Sequence, residues 1–295
     1  MDGSIVILTV WQLVEWIEHH LHQEITRTVL EKKAGYSSRH LYKLFIADIG
    51  ISVTAYIRKR RLTLASVMLR ETNRSVTEIA LMYQFNYLQT FSRAFRKQFR
   101  LSPLQYRHAR YWDMKDYYPS AIVKKFSCKT HVACVNKDAF ISPKKKFSYK
   151  INFGYTFIIN IKDKKINSYP QIYQDCINFI FQKKTNQPLV VFGELKPGIK
   201  SDTVIDIFSG YFTTQKRPGV INIPDGYYFC FTSIGTPLEL MKFINWAKGH
   251  GMHCFGQVLK KGPTFTVFTE TNTKDVYKAE HYMPCINPRS VAMHA

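Results

Sequence analysis

Residues 75–99 have the sequence SVTEIALMYQFNYLQTFSRAFRKQF, which contains the signals for two helices and a tight turn between them. Ser75 and Glu78 form a capping box, a pattern that satisfies the first free N–H groups of a helix. The pair FN marks the turn, and phenylalanines then recur at every fourth position from Phe91 to Phe99. Helix, turn, helix with a polar outer face is the helix-turn-helix signature of DNA-binding proteins.

The same pattern occurs once before, at about residues 26–45. Thr26 can cap a short helix, and Gly35 ends it because glycine readily adopts the left-handed conformation. Ser37 or Ser38 can then cap a second helix that has apolar residues on one side and basic, polar residues on the other. The sequence therefore predicts two helix-turn-helix units.

A helix that begins after the capping box at Thr9 and Gln12 precedes the first unit, and about residues 53–71 form a helix between the units. At 1.5 Å per residue this linker helix spans about 28 Å, and successive major-groove faces lie about 34 Å apart. One monomer could therefore place two helices in adjacent grooves. The run RKRR at residues 58–61 either contacts phosphates or forms a solvated helix face.

We expect the second helix of each unit to contact DNA through its polar face. Amide and hydroxyl groups near a helix start can reach base edges, while Arg can bind guanine or phosphate. A plain solvated face is the alternative, and the repetition of the pattern favours DNA. The predicted contact residues are Ser38, Arg39, His40, Tyr42, Lys43, Leu88, Gln89, Thr90, Ser92, Arg93, Arg96 and Lys97.

Residues 95–107, FRKQFRLSPLQYR, resemble the closing signature of the AraC/XylS transcription regulators. Further matches extend the resemblance over about residues 9–107, and the branch that it resembles most contains MarA, SoxS and Rob. The resemblance implies an activator that binds double-stranded promoter DNA and works with RNA polymerase. It also implies that base-reading positions lie on the two recognition helices.

At these positions the chain departs from the branch that it resembles. Members of that branch usually carry Trp, Gln and Arg where this chain has Arg39, Tyr42 and Lys43, and a Gln pair where it has Leu88 and Gln89. Tyr and Lys cannot reproduce a Gln amide or a bidentate Arg fork. The branch's DNA site is therefore not inherited by this chain.

The remainder of the chain predicts an α+β domain in which the order strand, helix, strand, strand occurs twice, with the helices beginning near Ser168 and Thr236. We assign residues 1–112 to an all-α DNA-binding domain with two helix-turn-helix units joined by a linker helix, 113–142 to a linker and 143–295 to the α+β domain. The predicted strands lie at 152–161, 189–193, 203–213, 226–233, 263–269 and 277–286.

The last of these strands resembles the Glu-x-Tyr-x-Pro ending of GyrI-like effector-binding domains, and the similarity covers roughly residues 143–288. It implies a cleft for amphipathic or cationic small molecules. An aromatic-lined cleft with one carboxylate suits an apolar cation, although the basic charge of this half leaves anionic amphiphiles open. A Glu–Lys pair above an ordinary aromatic core is the alternative. The candidate ligand residues are Glu280, Tyr282, Tyr227, Phe229 and Phe231.

Composition agrees with a nucleic-acid partner and argues against several other classes. The chain has 42 Lys and Arg against 21 Asp and Glu, a formal charge of +21 that favours a polyanionic partner. It lacks an 18-residue apolar stretch and a signal-peptide pattern, so we expect a cytoplasmic protein without a membrane partner. The six cysteines have no CxxC spacing, which favours reduced thiols and no metal.

No phosphate-binding loop or nucleophile motif is present, so we expect no cofactor, no catalytic residues and no enzymatic activity. The alternative function from a different class is a small-molecule-binding or sequestering protein whose DNA binding is only weakly specific.

Overall fold

The computed structural model describes residues 8–122, 126–136, 139–151, 174, 177, 178, 180, 181, 187–197, 203–260 and 262–286. The chain divides into two compact units. The N-terminal unit comprises Met1–His108 and Asp116–Lys124, and the C-terminal unit comprises Ala109–Lys115 and Lys125–Ala295. A helical unit followed by a sheet-rich unit is the fold class that the sequence predicts.

The described part of the N-terminal unit is built from seven helices. They are α1 (Val10–His20), α2 (Arg27–Ala34), α3 (Ser38–Ile49), α4 (Val53–Glu71), α5 (Val76–Met82), α6 (Leu88–Phe99) and α7 (Pro103–His108). Helices α2 and α3 form the first helix pair, α5 and α6 form the second helix pair, and α4 connects them. Both predicted helix-turn-helix units and the linker helix are therefore confirmed.

Local side-chain chemistry sets the helix ends. Both predicted capping boxes form, with the Thr9 and Ser75 backbone N–H groups donating to the side chains of Gln12 at 2.9 Å and Glu78 at 2.8 Å. Gly35 ends α2 with a φ of 73°, the left-handed conformation that glycine adopts without a Cβ penalty. These contacts satisfy backbone groups that a helix end leaves without an intrahelical partner.

Each helix pair packs on its own apolar side chains. In the first pair, Leu41 and Phe45 of α3 join a core that includes residues of α1, α2 and the start of α4. In the second pair, Phe91, Phe95 and Phe99 are buried along one side of α6. The Phe95 ring meets Tyr106 of α7 edge to face, with centroids 5.2 Å apart. Burial of each large apolar side chain contributes about 1.5–3 kcal/mol.

The C-terminal unit contains one large antiparallel sheet and a small second sheet. Its strands are β1 (Tyr111–Asp113), β2 (Lys129–Val135), β3 (Phe140–Ile151), β4 (Leu189–Pro197), β5 (Thr203–Thr213), β6 (Ile221–Asn222), β7 (Gly226–Gly235), β8 (Val258–Lys260), β9 (Phe265–Glu270) and β10 (Tyr277–Pro284). The large sheet has the order β2-β7-β10-β9-β4-β5-β3-β6, and β1 pairs with β8. Every neighbouring pair is antiparallel.

Five strands lie where the sequence predicts strands, namely β4, β5, β7, β9 and β10. The range 152–161 lies outside the described residues, and only a few residues of the helix expected after Ser168 are described. The duplication of the α+β unit therefore stays a prediction.

The range 113–142 that we predicted as a linker contains β2 and the start of β3, which corrects that assignment. Part of this range, Asp116–Lys124, belongs to the N-terminal unit. Among the described strands, β2 lies at the edge of the sheet with a neighbour on one side only, and most of its side chains are exposed. Its lysine, histidine and small side chains therefore lack the apolar alternation by which buried strands are found.

A helical segment that follows β7 packs on the large sheet. It consists of α8 (Pro237–Trp246), a π-helical turn at Ala247–Gly251 and a final helical turn. The helix begins next to Thr236 as the sequence predicts, and the Thr236 N–H donates to Glu239 at 2.8 Å. The Phe231 ring of β7 meets Trp246 edge to face at 5.9 Å, and a Cβ at Gly251 would come within 2.8 Å of that ring. Glycine at this position thus permits the close approach of helix and sheet.

A buried histidine lies on the same face of the sheet as Phe231. His281 of β10 pairs directly with Phe231 and is 1% exposed. Its Nδ1 hydrogen-bonds with Thr266 Oγ1 at 2.8 Å, and among the described residues its Nε2 has no hydrogen-bond partner. Burial, with a smaller contribution from Lys248, lowers the pKa of His281 well below the usual value. The folded chain therefore keeps this imidazole neutral, whereas the unfolded chain binds a proton below about pH 6.5.

We expect the C-terminal unit to lose stability as the pH falls from 7.5 to 5.5. At pH 5.5 the unfolded state binds a proton at this histidine and the folded state does not. This difference lowers the free energy of unfolding by about 1.4 kcal/mol. The variant His281→Asn cannot titrate, so urea unfolding at the two pH values should show that much less pH dependence. The exposed His131 provides the control as His131→Asn. Equal pH dependence in His281→Asn and wild type would contradict the assignment.

Candidate nucleic-acid interface

Helix α3 of the first helix pair is divided into a buried face and an exposed face. Leu41 and Phe45 lie in the core. The exposed members of the predicted contact set on this helix are Arg39, His40, Tyr42 and Lys43. Tyr42 keeps 53% of its surface exposed, although an aromatic ring would gain from burial. The exposed face combines two cations with an imidazole and a phenol, which are groups that can contact phosphates and base edges.

Ser38, the remaining predicted contact residue of α3, is engaged within the protein. The Glu31 carboxylate of α2 accepts a 2.9 Å hydrogen bond from the Ser38 backbone N–H and a further one from its hydroxyl. Arg27 donates to the same hydroxyl and lies 3.3 Å from Glu31. These hydrogen bonds from Ser38 lower the pKa of Glu31. The contacts join α2 to the start of α3 and so fix the angle of the first turn.

Helix α6 of the second helix pair is the more strongly two-sided helix. Its three phenylalanines are buried, and among the predicted contact residues only Ser92 is half-buried. The exposed predicted contact residues of α6 are Leu88, Gln89, Thr90, Arg93, Arg96 and Lys97. The helix contains no acidic residue, so nothing on α6 itself offsets the three cations. Such a face attracts a phosphate backbone and presents amide and hydroxyl groups near the helix start.

The basic run of α4 divides into residues with different roles. Arg58 is exposed, whereas Arg60 is only 3% exposed. Arg61 donates to the backbone carbonyls of Leu21 and Gln23 at 2.9 and 2.7 Å. Neither phosphate contact nor a solvated face therefore describes Arg60, because its guanidinium is enclosed by the protein.

Arg60 forms a buried ion pair with Glu18 of α1. The two N–H groups Nε and Nη2 donate to the two carboxylate oxygens at 2.8 and 2.9 Å. The Tyr56 hydroxyl donates to the same carboxylate at 2.6 Å, and Arg60 Nη1 donates to the Tyr118 carbonyl at 2.6 Å. A bidentate pair with additional hydrogen bonds has the geometry that compensates for desolvation of two charges. It joins α1 to α4 in the interior.

Sequence reasoning missed a contact between the second helix pair and the connection that joins α1 to α2. Gln84, in the turn between α5 and α6, has a positive φ of 63° and donates from its side-chain amide to the His22 carbonyl at 2.7 Å. A left-handed backbone at a residue other than glycine is uncommon. The sequence carries a turn signal here, but no local signal identifies a partner 62 residues away.

In the C-terminal unit, the five candidate ligand residues do not lie on one face of the sheet. Glu280 pairs with Thr232, and Tyr282 pairs with Cys230, whereas Phe229 and Phe231 pair with Met283 and His281. Directly opposed residues share a face. Glu280 and Tyr282 therefore lie on one face, and the candidates of β7, Tyr227, Phe229 and Phe231, lie on the other.

The two groups of candidate ligand residues have different surroundings. Phe229 and Phe231 are buried, and Phe231 packs against Trp246 of α8, which makes both part of the core beneath that helix. The Tyr282 ring stacks on Phe265 with centroids 4.8 Å apart. Glu280 is paired with Lys278 at 2.9 Å, and its side chain is 20% exposed. The face of Glu280 and Tyr282 thus has the expected combination of aromatic and acidic groups. It contains only these two of the five candidate ligand residues.

The described residues contain neither a candidate metal site nor a membrane-spanning helix. Within them, no three His, Cys, Asp or Glu side chains converge as a metal site would require. No helix in the described ranges is both long enough and apolar enough to cross a bilayer.

Comparison with known proteins extends these observations. The family model of a helix-turn-helix domain matches residues 30–109. YkgA of Escherichia coli K12 is 40% identical over 125 residues, which are 42% of this chain and 52% of YkgA. The right origin-binding protein of Escherichia coli K12 is 30% identical over 262 residues, 85% of this chain and 86% of that protein. SoxS of the same organism is 43% identical over 96 residues, which are 32% of this chain and 90% of SoxS.

A helical unit with two helix-turn-helix pairs, together with these relatives, defines the class of helix-turn-helix DNA-binding proteins. The chain belongs to the AraC/XylS family of DNA-binding transcription regulators, in the branch of the right origin-binding protein (Rob) and SoxS. The match to the right origin-binding protein is long enough to include most of the C-terminal unit. The chain spans about half the length of YkgA.

Proposed function

We propose that the protein is a sequence-specific transcription activator that binds two adjacent major grooves of promoter DNA as a monomer. The observation that carries the proposal is the repeated two-sided helix. Both α3 and α6 bury an apolar stripe and expose a basic face, and each follows a shorter helix and a tight turn. Recognition helices of this kind enter the major groove with their first residues near base edges.

The two faces supply different parts of recognition. We propose that Arg39, Lys43, Arg96 and Lys97 contact phosphates, because exposed cations on a helix can reach the backbone on either side of a groove. Gln89 and Arg93 would read bases, since an amide suits adenine and a guanidinium suits guanine. Activation would then require RNA polymerase at the same promoter.

Selection of duplexes from a random pool by the full-length protein tests the proposal. We expect recovered sequences to contain two conserved blocks about one helical turn apart, and a footprint on one side of the duplex. Transcription in vitro from a promoter that carries the selected site, with and without the protein, tests activation. A selected pool without any consensus would favour the alternative, a protein that binds small molecules and associates with DNA weakly.

Replacement of Arg93 with alanine should weaken binding to the selected duplex by about 1–3 kcal/mol and relax base preference at one position. The wild-type Arg93 makes a bidentate contact with the preferred base pair and not with other base pairs. Its removal therefore weakens binding to the preferred base pair alone. Affinities for the selected duplex and for its single-base variants, at one salt concentration, provide the measurement. Equal weakening on every sequence would contradict base reading by Arg93.

We also propose that the C-terminal unit binds an amphipathic small molecule on the sheet face of Glu280 and Tyr282. The supporting observation is the Tyr282–Phe265 stack on the same sheet face as Glu280, where an apolar cation would replace Lys278 as the partner of the carboxylate. Titration with a quaternary aromatic ammonium ion and with a long-chain fatty acid would separate cation from anion preference. Glu280→Gln should weaken the cation selectively, and unchanged binding would argue against this face.

A further inference from the structure

We propose that Asp116–Ile122, here called the strap, is a positioning element that holds the two helix pairs at a fixed spacing for binding to two-part DNA sites. This inference rests on the proposed function. The strap belongs to the N-terminal unit although it follows a segment, Ala109–Lys115, that belongs to the C-terminal unit. It lies outside residues 30–109, which match the helix-turn-helix family.

Side chains of the linker helix α4 hold the backbone of the strap. Thr63 Oγ1 accepts a hydrogen bond from the Tyr118 N–H at 3.1 Å, and Arg60 Nη1 donates to the Tyr118 carbonyl at 2.6 Å. The Tyr56 hydroxyl accepts from the Ala121 N–H at 3.1 Å. All three α4 residues are buried. The strap is therefore attached by groups that have little access to water, where hydrogen bonds contribute most to fixed geometry.

The strap is also joined to the first helix pair. Tyr56 and Arg60 both donate to Glu18 of α1, so the groups that hold the strap are themselves fixed by that helix. Tyr118, Ala121 and Ile122 pack against the apolar core that α1, α2, α3 and the start of α4 share. The Tyr118 ring meets Tyr56 edge to face with centroids 5.9 Å apart. Movement of the strap would therefore disturb the apolar core against which α3 packs.

The side chain of Gln98 joins the strap to the second helix pair. Gln98 of α6 donates from Nε2 to the Asp116 carbonyl at 3.3 Å and to Thr63 Oγ1 at 3.2 Å. Gln98 follows the candidate contact residue Lys97 and lies five positions after Arg93 on the same helix. Its amide thus connects the reading helix to both the strap and the linker helix.

These contacts make the strap a part shared by both helix pairs. A two-part reader gains affinity because the first half-site contact brings the second helix to its groove at a high effective concentration. That gain requires the distance between α3 and α6 to be fixed, since a loose connection samples many unproductive spacings. The strap and α4 both supply contacts to the two helix pairs. Removal of the strap contacts should therefore weaken the coupling between the two half-sites without altering either reading face.

Two full-length variants test the strap, and a third full-length variant provides the control. Gln98→Leu keeps the side-chain size and removes the amide donors, while Tyr118→Ala removes the ring from its contact with Tyr56. Tyr111→Ala alters an exposed tyrosine of the C-terminal unit and serves as the matched control. Binding is measured to the selected duplex, to the same duplex with one inserted base pair between the two blocks, and to duplexes with one block scrambled.

We expect the wild type and Tyr111→Ala to bind the selected duplex about tenfold more tightly than the duplex with the insertion, as rigid coupling requires. In Gln98→Leu and Tyr118→Ala this ratio should fall toward one, with affinity for the single-block duplexes unchanged. A uniform loss on all duplexes would indicate a general folding defect and overturn the proposal. An unchanged ratio in both variants would overturn the strap alone, whereas a wild type without a spacing preference would overturn the two-groove function as well.

Discussion

Replacement of Arg60 with alanine should destabilise the N-terminal unit by about 3–5 kcal/mol. The change leaves the Glu18 carboxylate buried without its positive partner, and it also removes the donor to the Tyr118 carbonyl. A typical domain is stable by only about 5–15 kcal/mol. This one substitution would therefore remove a large part of the free energy of unfolding of the unit and lower the population of its folded state at physiological temperature.

The electrostatics of Arg60 explain the size of the expected effect. Burial by itself would lower the pKa of Arg60, but attraction to Glu18 outweighs this and the pKa is raised. The guanidinium therefore stays charged, and the pair remains ionised in the interior. Loss of one member exposes the other to the full cost of a buried charge, which exceeds the net contribution of the intact pair.

Arg58 provides the matched control for Arg60 within the same basic run. It lies two residues away on the same helix and is exposed, so Arg58→Ala should change the free energy of unfolding by less than about 0.5 kcal/mol. Urea unfolding of both variants gives the comparison. The double variant Glu18→Leu with Arg60→Met should recover part of the loss, because no charge is left buried. A loss below about 1 kcal/mol in Arg60→Ala would contradict a structural role for the pair.

The run at residues 58–61 illustrates what a sequence can and cannot predict. The helix itself was predictable, and α4 has the bounds Val53–Glu71 that the periodicity indicates. The four basic residues look alike in the sequence. Adjacent positions on a helix point in directions about 100° apart, so one member of such a run can be enclosed while another is exposed. Which one is enclosed depends on Glu18, which lies 42 residues away.

The same distinction between local and long-range information applies to the candidate sites. The exposed faces of α3 and α6 follow from helix periodicity, which depends only on neighbouring residues. The caps at Thr9 and Ser75 follow from spacings of three residues. The set of residues on the candidate ligand face could not be predicted from local spacing in this way. Alternation fixes which residues share a face within one strand, but the register between β7 and β10 decides which faces of the two strands coincide.

The affinity for DNA should fall steeply with salt. Phosphate contacts release condensed counterions, and four contacts from Arg39, Lys43, Arg96 and Lys97 correspond to a slope of about −3.6 in a plot of log affinity against log salt concentration. A rise from 50 to 200 mM would then lower affinity by roughly 150-fold. All four side chains are exposed and are free to reach a phosphate backbone on either side of a groove.

Single substitutions assign this salt dependence to particular residues. Lys97→Ala should make the slope about 0.9 less steep and weaken binding to selected and random duplexes alike, because a phosphate contact carries no sequence information. Lys216→Ala removes an exposed cation from the C-terminal unit and should leave the slope unchanged if only the two helix pairs contact DNA. A slope near zero in the wild type would contradict phosphate contact by α3 and α6. A less steep slope in Lys216→Ala would instead show that the basic C-terminal unit contributes, since charge neutralisation adds to the slope wherever on the protein it occurs.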